Sequence, residues 1–111
     1  MNLTKESEQK VQQLQMMEQN IQSIMAQKQQ FQAQLLEVDN ASNEIKSSKG
    51  NAYKLVGNIM VLSDKETLSK DLESKKEILN VRIKSLKKQE DGIKEKAEKL
   101  QAEVMTELQG K

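Results

Sequence analysis

Residues Tyr53–Leu62 read YKLVGNIMVL, and they interrupt a chain of a different character. On either side lie long runs rich in Gln, Glu and Lys, and proline is absent throughout. Gly57-Asn58 stands in the middle of the stretch. It fits a two-residue β-turn with Gly at the first central position, the preference of type II′. Strands over about Ala52–Val56 and Ile59–Leu62 are therefore predicted. We read Tyr53, Leu55, Ile59 and Val61 as one alternating set and Val56, Met60 and Leu62 as the other, so both faces are apolar. Such a hairpin is marginal alone in water, and its open edges favour pairing with another chain. The expectation is a sheet or barrel shared between subunits, with Tyr53, Leu55, Val56, Gly57, Ile59, Met60, Val61 and Leu62 as the assembly residues. The alternative is an apolar tip folded back on its own helices. The period-2 pattern and the turn chemistry speak against it.

The flanks have a different period. Before the hairpin, apolar residues recur at alternating spacings of three and four: Leu14, Met17, Ile21, Ile24, Phe31, Leu35, Val38 and Ile45, with Lys28 and Ser42 as interruptions. After it come Leu72, Leu79, Ile83, Leu86, Ile93, Ala97, Leu100 and Val104, interrupted at Lys76, Glu90 and Glu107. This is the 3.5-residue period of a coiled coil. Helices are expected over about residues 4–45 and 65–109, with the hairpin over about 52–62, all in one unit spanning 1–111. Nearly equal lengths and a short connector predict an antiparallel pair with its free ends together.

The ends of the helices carry their own signals. Ser63-Asp-Lys-Glu66 has the pattern of a capping box. Gly50, in Ser47-Ser-Lys-Gly-Asn51, can take the left-handed conformation that closes a helix. Gly92 lies inside the second helix, where it costs about 1 kcal/mol against Ala. It marks either a bend or a tolerated glycine on a wet face.

Composition excludes several classes of function. Tyr53 and Phe31 are the only aromatic residues, charged residues make up 32%, and this is the composition of long helices rather than of a globular core. A net charge of +1 gives no general attraction to nucleic acid or to a membrane surface. Cys and His are both absent, which removes a disulfide framework, the commonest general base and the commonest metal ligand. No apolar run is long enough to span a bilayer. Neither a phosphate loop nor a nucleophile beside a base is present. The expectation is a cytoplasmic protein that is not an enzyme, with no catalytic residues, metal or cofactor.

The order of long helix, tyrosine-led hairpin and long helix with a leucine seam resembles the β class of prefoldin subunits, above all the archaeal kind. Tyr53, Lys54, Val56, Gly57 and Val61 carry the hairpin part of that resemblance, and Leu72, Leu79 and Leu86 the start of the second helix. A single hairpin also fits the β class, since the α class carries two. Ala52 stands where the family often has valine, and the proline-bearing tails common in relatives are missing. The resemblance implies a mostly helical fold with one small β element, a long antiparallel coiled-coil hairpin whose β-hairpin joins an intersubunit barrel. It implies a hexamer of two α-class and four β-class subunits.

Methionines give the remaining signal. Met16, Met17, Met25 and Met105 lie toward the two ends of the chain, and Val11, Met16 and Met25 fall off the seam. Soft, flexible side chains suit a surface that accepts many unlike apolar partners. On the residues alone, a broadened interface near the helix ends explains them equally well. The resemblance favours a gripping surface, because prefoldins hold non-native polypeptides at their coiled-coil tips. Here those positions are Val11, Leu14, Met16, Met17, Met25, Leu100, Val104, Met105 and Leu108. It further implies an ATP-independent holdase that passes its clients to a group II chaperonin. A structural coiled-coil scaffold or tether that assembles through the hairpin without binding clients is the rival reading.

Overall fold

The structure, a computed structural model, describes residues 4–109. Helix α1 spans Lys5–Ser47, strands β1 and β2 span Ala52–Val56 and Ile59–Ser63, and helix α2 spans Lys65–Gln109. The chain divides into two compact units. A hairpin unit runs from Gln30 to Ile83, and a terminal unit joins the segment up to Gln29 with the segment from Lys84 onward.

In the hairpin unit the strands pair antiparallel, with Val56 opposite Ile59, Leu55 opposite Met60 and Tyr53 opposite Leu62. Gly57 has φ of 64°, and among the described residues no non-glycine residue has positive φ. A positive first central residue followed by a negative second one is the type II′ turn. The pairing corrects the expected faces. A two-residue turn places Val56 and Ile59 on one face, so Lys54 and Val61 join them. Tyr53, Leu55, Met60 and Leu62 share the other. Counting the alternation straight through the turn assigns Ile59 and Val61 to the wrong side.

The helix ends also differ from expectation. Ser63 closes the strand ladder against Ala52, so the cap of α2, which begins at Lys65, is Asp64 and not Ser63. One Asp64 carboxylate oxygen accepts from the Glu66 N–H at 3.2 Å and the other from the Thr67 hydroxyl at 3.1 Å. Gly50 does not take the left-handed conformation. The end of α1 is closed by side chains instead. The Ser47 hydroxyl donates to the carbonyls of Asn43 and Glu44, and the Lys65 ammonium donates to the Ser48 carbonyl. At the start of α1, Thr4 Oγ1 accepts from the Ser7 N–H at 3.1 Å, with Glu6 and Glu8 in the first turn favoured by the helix dipole.

Within each unit the two helices run antiparallel. In the hairpin unit Asp39 meets Lys76, and the Arg82 guanidinium lies 5.6 Å from the centre of the Phe31 ring. In the terminal unit Lys10 meets Glu107 and Lys28 meets Glu90. Every seam position read from the sequence is buried or half-buried, the polar interruptions included. Buried apolar residues are Leu68 and Leu79 in the hairpin unit, and Ile24, Leu86 and Val104 in the terminal unit. Leu68 precedes the expected start of the seam. It adds a second four-residue step before Lys76, a local departure from the heptad that unwinds a coiled coil slightly.

Candidate interaction surfaces

The hairpin is built to be exposed. A II′ turn aligns two five-residue strands, and β-branched and long apolar residues fill them. Tyr53, Leu55, Val56, Ile59, Met60, Val61 and Leu62 are all exposed, with Met60 the most open at 69%. Both faces therefore present apolar side chains, whichever way the sets are drawn. A two-stranded sheet has two open edges, and the described residues supply no third strand. At its base the hairpin borders a cleft of about 450 Å³ floored by Ala41, Ile45, Tyr53, Leu55, Leu68 and Leu72. Lys54 reaches across to Asp71 at 3.8 Å, an exposed pair worth little on its own. Contiguous exposed apolar surface of this kind marks an interaction site.

The terminal unit has a second, different surface. Of the nine positions expected to contact clients, Met16, Met25 and Met105 are exposed. Val11, Leu14, Met17, Leu100 and Leu108 are half-buried, and Val104 is buried in the seam. The structure thus separates the methionines that face solvent from residues that hold the helices together.

Polar residues missed by the sequence reading organise this unit. Ser7 and Lys10 continue the seam at the same three-and-four spacing, and their polarity concealed them. Ser7 is buried, and its hydroxyl donates to Glu107. The Lys10 ammonium also bonds Glu107, with Glu103 at 3.5 Å. The Glu107 bond raises the Lys10 pKa; burial opposes it, and the charges of Glu107 and Glu103 and a bond to Glu103 add to it. Further in, Glu90 is buried on the seam, with its Oε1 3.1 Å from Lys28 Nζ. Lys87 and Lys94 each approach the same oxygen at 3.8 Å. The Lys28 bond holds the Glu90 carboxyl below its ordinary range against the opposing effect of burial, and the three ammonium charges reinforce it.

Among the described residues, no group of three or more acidic residues is placed to hold a metal ion. Nor is any helix there long and apolar enough to cross a membrane. What these surfaces offer is apolar contact and open strand edges.

Comparison with known proteins agrees with this architecture. The family profile described as Prefoldin subunit matches residues 8–111. The chain is 39% identical over 90 residues to prefoldin subunit beta of Pyrobaculum calidifontis, across 79% of this chain and 72% of that one. It is 33% identical over 112 residues to prefoldin subunit beta of Methanospirillum hungatei, across 99% and 93%. Its fold matches the crystal structure of the prefoldin beta subunit from Thermococcus strain KS-1 with a TM-score of 0.91 and 32% identity, covering 96% of each chain.

Proposed function

The chain belongs to the prefoldin family, as a β-class subunit of the archaeal kind, and from that premise we propose that it is the client-binding β subunit of an ATP-independent holdase. Its hairpin joins those of an α-class partner and of further copies of itself, two α and four β, in a shared β-barrel. The exposed edges and doubly apolar faces of β1 and β2 support this. The helix ends bind non-native polypeptides in the cytoplasm, and the clients pass on to a group II chaperonin.

The observation that carries client binding is the exposure of Met16, Met25 and Met105 in the terminal unit. Three flexible apolar side chains standing off the seam offer contacts that tolerate varied partners. Each contact is weak. Several subunits acting on one client raise the effective concentration, and the combined grip is much stronger than any single one.

The test is reconstitution with an α-class partner, followed by dilution of a chemically denatured protein into the complex while light scattering is recorded. A holdase suppresses the scattering without nucleotide. Removal of residues 1–16 and 101–111 should leave assembly intact and abolish suppression. A complex that assembles and leaves aggregation unchanged would be a scaffold, and the client-binding reading would fall.

A further inference from the structure

The seam of the terminal unit has one undersized position. Ala97 stands where the other apolar residues on the α2 seam are Leu, Ile or Val. A knob too short to fill its hole leaves space. Beside Ala97 lies an open groove of about 400 Å³ lined by Leu14, Glu18, Ile21, Ala97 and Gln101. Leu14 and Ile21 are half-buried beside it, as are Met17, Ile93 and Leu100 of the same seam.

The lining has three chemistries in one place. Leu14, Ile21 and Ala97 make an apolar floor. Glu18, exposed on the rim, forms no ion pair among the described residues. Gln101, also on the rim, carries an amide that can donate to a peptide carbonyl or accept from a peptide N–H whatever the side chains. The combination suits an extended polypeptide.

We propose that this groove is a client subsite, resting on the reading of the terminal unit as client-binding, and that it selects extended segments with a large aliphatic residue next to a lysine or arginine. The aliphatic side chain enters over Ala97, the cation meets Glu18, and Gln101 bonds the client backbone. Ala97 gives up packing in the coiled coil to leave room for a guest.

The test uses the full complex with its α-class partner. Ala97→Leu fills the groove from within, so the complex should melt at a higher temperature and yet hold clients less well. The probe is a fluorescein-labelled peptide with one leucine flanked by lysines, compared with the same peptide flanked by glutamates. Capture of the lysine peptide should weaken about tenfold in Ala97→Leu, the worth of roughly one buried aliphatic side chain. Glu18→Lys should reverse the preference between the two peptides at unchanged stability. If Ala97→Leu stabilises the complex and captures the lysine peptide as well as the parent does, the groove is not the subsite. The terminal truncation separates this from failure of the wider reading. If it abolishes protection while Ala97→Leu has no effect, clients bind at the helix ends but not in this groove. If protection survives the truncation, the helix ends bind nothing and the subsite falls with them.

Discussion

One substitution made at two glycines should act in opposite directions. Gly57 holds φ of 64° at the first central position of the turn, and a Cβ added there would meet no atom within 4 Å. Ala at this position therefore bears only the cost of its own backbone, about 1–3 kcal/mol for a conformation that L residues rarely adopt. Gly92 lies inside α2, exposed, and a Cβ there also meets nothing within 4 Å. Its replacement by Ala gains the helix propensity alone, about 1 kcal/mol. Far-UV circular dichroism of the complex should show Gly92→Ala melting roughly 4–8 °C higher. Gly57→Ala should keep its helical signal while its assembly midpoint moves to a higher subunit concentration, by between about 5-fold and about 140-fold. Mass photometry across a dilution series reads that shift. An unchanged assembly midpoint in Gly57→Ala would refute the link between the II′ turn and association. A lowered melting temperature in Gly92→Ala would show that this glycine serves a bend and is not simply tolerated.

Four further outcomes follow from the packing. Leu79→Ala removes a buried seam residue of the hairpin unit and should cost about 2–5 kcal/mol in urea unfolding. Asp39→Ala breaks a 3.2 Å pair with Lys76 in which both side chains are more than 40% exposed, and should cost less than about 1 kcal/mol in the same assay. The Lys28 bond depresses the folded pKa of Glu90, so its stabilisation is present above the ordinary value of 4.5 and lost as pH falls through the lower folded value. The acid limb of a melting-temperature profile should accordingly flatten in Glu90→Gln. Lys10 has the opposite sign: its raised pKa stabilises below the ordinary 10.5 and stops doing so as pH rises past the folded value, which Lys10→Gln should abolish.

The hairpin was legible because its signals are local. A Gly at one turn position and alternating apolar residues beside it determine the turn type and the strands without reference to the rest of the chain. The distribution of side chains between the faces was misread because parity reverses across a two-residue turn, as the Val56–Ile59 pair shows. The cap shifted from Ser63 to Asp64 for a tertiary reason, since the strand pairing claimed Ser63 first. Gly50 shows the limit of a propensity: the residue can close a helix, but it does not take positive φ here, and the Ser47 and Lys65 side chains bond carbonyls at that end. The seam was legible from its period. The partners of its polar members were not, because Lys28 finds Glu90 and Lys76 finds Asp39 only through the register between helices. Ser7 and Lys10 followed the spacing but lacked the hydrophobicity by which the spacing was traced.

Those polar members are unevenly spread, and the unevenness has a physical consequence. The terminal unit places Ser7, Lys10, Lys28, Glu90 and Glu107 on its seam, whereas the hairpin unit has Ser42 and Lys76 among the positions traced from sequence. Each such position forfeits the burial of an aliphatic side chain. A charged pair in its place makes up little of the loss, because removing two ions from water is itself costly. What the pair does supply is discrimination. Lys28 opposite Glu90 is satisfied in one antiparallel register, and a slip of one heptad would leave a buried carboxylate facing an apolar seam residue. The terminal unit thus keeps its register through polar matching while holding less apolar area in reserve. A coiled coil selected for stability alone would carry leucine at these positions and would leave no opening at Ala97. Weak cohesion with exact alignment is what a surface needs if its apolar residues must remain available to an incoming chain.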